Sequence, residues 1–237
     1  MKLYWATILG LGCTTLTVTG CGPNEPDPTA RTTPSAEQAL PDIPVMGLQV
    51  RVLAIGDSLL TGYGLGDEKS YPAMLEAALR ARGVNARVAN AGVSGDTSAA
   101  GLQRLDFTLN SQQRPPDLVI ISLGGNDMLR GIAPGETRAN LEAMLKTLQA
   151  RKIPAMLLGM LAAPNLGKDY ASDFNSIYPD LARKYDAALV PFFLQPLMGK
   201  PDLVQKDRIH PTEAGIEAMV AATVDDVARA LPSSPVA

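Results

Sequence analysis

Ser58, Asp207 and His210 are the residues whose types and order could carry a nucleophilic reaction in this chain. The sequence holds one histidine, in Asp207-Arg208-Ile209-His210. If an imidazole serves as general base, that base is His210, and the acid best placed to orient it is Asp207 on the same short stretch. Ser58 stands in Gly56-Asp57-Ser58-Leu59, and the order Ser…Asp…His suits a serine hydrolase whose hydroxyl attacks an acyl carbonyl. A single histidine excludes the usual multi-histidine zinc constellations. Each residue also has a plainer reading: Ser58 as a helix N-cap, His210 as a turn residue before a helix, Asp207 as a surface ion-pair acid. Asp225 and Asp226 are poorer candidates for the acid because they sit deep in a helical pattern.

The elements that must position these residues alternate along the chain. Apolar runs at 50–55, 86–89, 117–123, 154–160 and 188–190 read as strands, and the run Leu118-Val119-Ile120-Ile121 has the continuity of a central parallel strand. Between them, residues 71–82, 99–109, 134–150 and 173–185 carry apolar side chains at helical spacing, and residues 212–231 close the chain as an amphipathic helix that Pro211 can begin. Pro154 is expected at the first position of its strand, where a missing N–H is tolerated. The alternation predicts an α/β fold: three layers, α/β/α, around a five-stranded parallel sheet. In such sheets sites form beyond the carboxyl ends of the strands, where Ser58 and the loops discussed next fall.

Four blocks occur in order: Gly56-Asp57-Ser58-Leu59, the run Gly92-Val93-Ser94-Gly95-Asp96-Thr97, the run Gly124-Gly125-Asn126-Asp127, and Asp207-Arg208-Ile209-His210. Together they resemble the four blocks of the GDSL, or SGNH, hydrolase family, most closely its bacterial thioesterase I/lysophospholipase L1/protease I and arylesterase members. The resemblance runs from Arg51 into the last helix. It differs from the Gly-x-Ser-x-Gly elbow of ordinary α/β-hydrolases. It implies Ser58 as nucleophile, His210 as base and Asp207 as orienting acid. It also implies an oxyanion hole made by the backbone N–H groups of Ser58 and Gly95 and the side-chain amide of Asn126. Residues 129–134 resemble the loop that closes on the acyl chain and 159–166 another wall of the pocket, so Leu129, Ile132, Met160, Leu161 and Pro164 are expected to line it. Here the chain departs from that subgroup: an arginine of the relatives is missing near Leu161, and their proline falls one position before Pro164. Glycine at 95 and a neutral amide at 126 suit donors that must approach an oxyanion closely. Asp57, Asp96 and Asp127 are oxygen ligands of the type a metal takes, but they read better as helix caps and loop acceptors, so neither a metal nor any other cofactor is expected.

The first residues speak to location. Lys2 is followed by an apolar stretch to about Val18, then Val18-Thr19-Gly20-Cys21. This resembles a lipoprotein signal peptide over residues 1–20 with Cys21 as the lipidated residue; a plain cleaved signal and a retained anchor are the alternatives. Removal of Cys13 with the signal would leave one of the two cysteines and no intrachain disulfide. Residues 21–47 hold Pro23, Pro26, Pro28, Pro34, Pro41 and Pro44 and read as an extended tether, leaving residues 48–237 as the catalytic domain. Gly22 after the cysteine resembles an outer-membrane-destined signal, so the enzyme is expected in the bacterial cell envelope, facing the periplasm. A net charge of -3 and the lack of a basic run argue against nucleic-acid binding; a monomer is the ordinary assembly. The substrates implied are aryl and short- to medium-chain acyl esters, lysophospholipids and, in vitro, thioesters. A carbohydrate O-acetyl esterase and a silent envelope binding protein are the competing readings.

Overall fold

The computed structural model describes residues 45–232. The signal peptide expected at 1–20, Cys13, Cys21 and the tether up to residue 44 lie outside the described residues. Five parallel strands form one sheet: β1 (Val50–Gly56), β2 (Ala86–Gly92), β3 (Leu118–Ser122), β4 (Ala155–Leu158) and β5 (Ala188–Val190), in the order β2-β1-β3-β4-β5. Among the described residues seven α-helices are interleaved with them: α1 (Ser58–Thr61), α2 (Tyr71–Ala81), α3 (Ser98–Asn110), α4 (Gly125–Leu129), α5 (Pro134–Ala150), α6 (Lys168–Tyr185) and α7 (Glu213–Ala230). Helix α2 packs on α7, while α3, α5 and α6 pack in series, which gives the three layers. Every residue of β3 is buried, as a strand covered on both faces requires.

The sheet explains where a site must form. From β1 the chain crosses outward to β2, and from β3 it crosses the other way to β4. Since β1 and β3 are neighbours, paired up to Gly56↔Ser122, the loops that follow them diverge and leave a crevice at their carboxyl ends. Strand β1 ends at Gly56 for a steric reason. A Cβ there would lie 2.6 Å from Leu60 Cδ1 and 2.7 Å from the Ser122 carbonyl oxygen, so only glycine lets the next turn fold back onto the sheet.

Several boundaries differ from expectation. Strand β2 runs three residues further, to Gly92, because β1 pairs with it along its whole length. Strand β4 is shorter than 154–160: Pro154 lies just before it and takes part only through its carbonyl, which accepts from Val119 N–H at 2.9 Å. Helix α6 begins at Lys168 rather than 173. Helix α7 does not begin at Pro211. Its N-cap is Thr212, whose hydroxyl accepts from Gly215 N–H at 3.3 Å, and Pro211 stands outside in a bridge with Val204. Helices α1 and α4 have too few residues for apolar periodicity to reveal them, yet they carry Ser58 and Asn126.

Candidate active site

Ser58 is the first residue of α1, directly beyond β1. The cap of that helix is Asp57, not Ser58: Leu59 N–H donates to Asp57 Oδ1 at 3.0 Å. The Ser58 hydroxyl is therefore free to face His210, and its Oγ lies 2.8 Å from His210 Nε2. On the other side of the ring, Nδ1 lies 2.7 Å from Asp207 Oδ2. An ionised carboxylate can only accept, so Nδ1 carries the proton and Nε2 accepts from the serine hydroxyl.

The turn carrying Asp207 and His210 is built to hold them. Asp207 Oδ1 accepts from the backbone N–H groups of Ile209 (2.9 Å) and His210 (3.0 Å). The loop is closed by Gln205 N–H donating to the His210 carbonyl at 2.7 Å, and the Gln205 amide donates to the carbonyls of Tyr63 and Pro211. The Tyr63 ring stacks on the imidazole, with centroids 4.1 Å apart and planes 27° apart. The bond from His210, and then the two backbone N–H groups, hold the Asp207 carboxyl down at about 2.

Gly95, with φ +84, takes a backbone conformation that a side chain would resist. Its N–H and that of Ser58 have no protein acceptor among the described residues, and both residues line the cleft beside Asn126. The Asn126 amide nitrogen donates to the Asp96 carbonyl at 3.0 Å and to Asp57 Oδ2 at 3.2 Å, which fixes its plane. Arg130 donates to the Gly95 carbonyl at 2.8 Å and steadies the same loop from the rim.

The three loop aspartates are each engaged separately. Asp57 caps α1 and braces Asn126. Burial pushes its carboxyl up to about 6, against the lowering effects of Leu59 N–H, of His210 when the imidazole is protonated, and of the Asn126 amide. A folded value above the ordinary 3.8 means that its ionisation works against the fold above about pH 6, and that this cost vanishes below about pH 4. Asp96 pairs with Arg104 at 2.7 Å. Asp127, fully buried, accepts from Ser98 N–H (2.8 Å), the Ser98 hydroxyl and the Thr137 hydroxyl (3.1 Å), and so fastens α4 to the starts of α3 and α5. Asp127→Ala would leave the Ser98 N–H buried without a partner while the hydroxyls can turn elsewhere. The expected cost is about 3 kcal/mol, read as a lowered urea midpoint at unchanged slope. A midpoint equal to that of the parent protein would show that the network does not hold these loops.

The cleft over Ser58 has a volume of about 390 Å³. Of the five side chains expected to line it, Leu129, Met160 and Leu161 do so, whereas Ile132 and Pro164 do not. The chain turns away from the cleft after Leu161: Ala162 N–H is held by Asn175 Oδ1 at 2.7 Å, and Pro164 opens a short 3-10 turn beyond it. Ile132 lies past the end of α4, its carbonyl bound by the Tyr170 hydroxyl at 2.9 Å. In their place Tyr63, Met128, Phe192, Leu194 and Ile209 supply the apolar wall, with Arg208 on the rim. Phe192 and Leu194 directly follow β5, and position beyond a strand's carboxyl end was the one signal that could have found them. A larger groove of about 540 Å³, bordered by Asp67, Glu76 and Arg87 along β2, contains none of Ser58, Asp207 and His210.

The chain is similar in sequence and in structure to known proteins. The model of the GDSL-like lipase/acylhydrolase family matches residues 54–218. The esterase TesA of Pseudomonas aeruginosa is 41% identical over 163 residues, covering 69% of this chain and 80% of the relative. The thioesterase 1/protease 1/lysophospholipase L1 of Escherichia coli is 38% identical over 160 residues, covering 68% and 74%. Among solved structures, AlinE4, an SGNH-hydrolase family esterase, is 58% identical, with a TM-score of 0.67, and covers 79% of this chain and 100% of that one. With that match extending from β1 into α7, the chain belongs to the GDSL-like lipase/acylhydrolase family and is a carboxylic-ester hydrolase of the SGNH fold.

Proposed function

We propose that Ser58, His210 and Asp207 act as a catalytic triad that hydrolyses aryl and short- to medium-chain acyl esters, lysophospholipids and, where it meets them, thioesters. The observation that carries this reading is the continuous chain from Ser58 Oγ through His210 to Asp207, with steps of 2.8 and 2.7 Å, whose serine and histidine line an apolar cleft. His210 Nε2 takes the serine proton as Oγ attacks the acyl carbonyl, then returns it to the leaving oxygen or sulfur, leaving an acyl ester on Ser58. Water, activated by the same nitrogen, attacks that ester and frees the acid. The two unpartnered N–H groups of Ser58 and Gly95, with the Asn126 amide, supply donors for the oxyanion of each tetrahedral intermediate. Asn126 would share its longer bond, the one to Asp57.

The apolar wall of Leu129, Met160, Leu161, Phe192 and Leu194 favours an acyl chain over the small polar group of a carbohydrate O-acetyl ester. For location, residues 1–21 support lipidation at Cys21 and an anchored enzyme in the bacterial envelope, facing the periplasm.

The test is hydrolysis of p-nitrophenyl acetate, butyrate, octanoate and palmitate and of a lysophospholipid by the full-length chain, alongside peptide mass spectrometry after reaction with an alkylphosphonate ester. Expected are a single phosphonyl adduct, on Ser58, and faster turnover of butyrate and octanoate than of acetate. Turnover confined to acetate would move the reading to O-acetyl esters. A folded sample with no adduct at Ser58 would overturn the triad.

A further inference from the structure

Three residues other than glycine hold a positive φ among the described residues: Lys152 (57°), Asp186 (51°) and Arg208 (61°). Lys152 follows the C-cap of α5 and Asp186 is the C-cap of α6, places where a left-handed residue is the common way for a helix to stop. Arg208 ends no helix. It sits between Asp207 and Ile209 in the turn that presents His210, at a position where glycine would meet the same backbone requirement without crowding at Cβ. The turn therefore bears the strain of a side chain that its geometry does not ask for, and such strain at a site points to what the side chain does.

The guanidinium of Arg208 is on the rim of the cleft, exposed, and makes no hydrogen bond or ion pair among the described residues. The adjacent carboxylate does not answer it, because Asp207 is committed to His210 and two backbone N–H groups. Its side of the cleft is also defined chemically. His210 Nε2 must hand its proton to the leaving oxygen, so the leaving alcohol lies against the His210 turn, and Arg208 and Ile209 are that turn. The acyl chain is left with the wall of Leu129, Met160, Leu161 and Leu194. A planar guanidinium with unused donors is matched bidentately by phosphate oxygens.

We propose that Arg208 is a specificity residue that binds a phosphate carried by the leaving alcohol, so that acyl esters of phosphorylated alcohols are preferred over neutral esters of the same acyl chain. The inference rests on Ser58 and His210 acting as described above.

It is tested with the full-length chain on three substrates sharing one octanoyl group, each below its critical micelle concentration: octanoyl glycerol, octanoyl glycerol phosphate, and the corresponding glycerophosphoglycerol diester. The parent enzyme is expected to show a higher kcat/KM for one or both phosphorylated esters, and the two separate recognition of a phosphate monoester from that of a diester. In Arg208→Gly, which keeps the left-handed backbone, the ratio of phosphorylated to neutral kcat/KM is expected to fall at least about tenfold, the scale of a lost charge-assisted hydrogen bond. Arg208→Lys, which keeps the charge without the fork, should recover part of that ratio. A parent enzyme without the preference, or a smaller fall in Arg208→Gly, overturns the proposal while Ser58-dependent hydrolysis of octanoyl glycerol leaves the triad standing. Loss of Ser58-dependent hydrolysis on all three substrates overturns both.

Discussion

Ser58→Ala is expected to lower kcat on p-nitrophenyl butyrate by about 10⁵–10⁶-fold with KM close to that of the parent enzyme. Among the described residues Ser58 Oγ has one hydrogen-bond partner, His210, so the substitution removes the attacking atom and little else. The fold should not suffer, because the cap of α1 belongs to Asp57 and alanine is well suited to the first helical position. The apolar wall of the cleft, the Gly95 N–H and the Asn126 amide stay in place, which is why substrate affinity should survive and a small residual rate above that in water should persist. Since nucleophile and base act as a unit, adding His210→Ala to Ser58→Ala should cause little further loss. Single-turnover kinetics with active-site titration would separate true residual turnover from contamination by the parent enzyme. A variant that keeps a tenth of the parent rate would show that Ser58 is not the nucleophile.

Asp207→Asn is expected to cost about 10⁴-fold in kcat, the scale seen when the orienting acid of a triad becomes an amide. The turn itself dictates how the asparagine must sit. Ile209 N–H and His210 N–H both point at the position of Asp207 Oδ1, so the amide oxygen must face them and the amide nitrogen must face the imidazole. A donor at that place forces Nδ1 to accept, which moves the ring proton to Nε2, opposite the Ser58 hydroxyl. Two hydrogens then meet where a base is needed. The backbone bonds are kept, so thermal unfolding should shift far less than the rate does. A loss of less than tenfold would sink Asp207 as the orienting acid. The low value of this carboxyl also bears on pH. Its folded value, about 2, lies below the ordinary 3.8, so the stabilisation it lends to the turn is complete above about pH 4 and is lost only as the pH falls through about 2. A decline in activity above pH 4 therefore belongs to another group.

How far sequence reached can be judged from particular residues. Strand β3 was legible because five buried residues in a row leave no helical or amphipathic alternative, and β5 because its three residues follow a helix stop. The ends of β2 and β4 were not, since a partner's length decides where a strand stops: β2 extends to Gly92 because β1 reaches Gly56, and β4 stops short because its neighbours offer it few partners. Among residues lining the cleft, Leu129, Met160 and Leu161 were expected, whereas Tyr63, Phe192 and Leu194 were not. Each missed residue enters the cleft from a loop whose course depends on the packed domain.

By itself, then, the sequence determined the inventory: one histidine, an aspartate three residues before it, a serine after the first strand, and an alternation of strands and helices that admits a parallel sheet. Chemistry and periodicity are local properties, and a chain carries them without folding. Tertiary structure alone decided that Ser58 and His210, 152 residues apart, meet at 2.8 Å, that Tyr63 stacks on the imidazole, and that Ile132 and Pro164 turn away from the cleft. Those outcomes depend on where β1 and β3 end beside one another and on the turn before α7 closing over them. Proximity between distant segments is set by the sheet order, which no short window of residues contains.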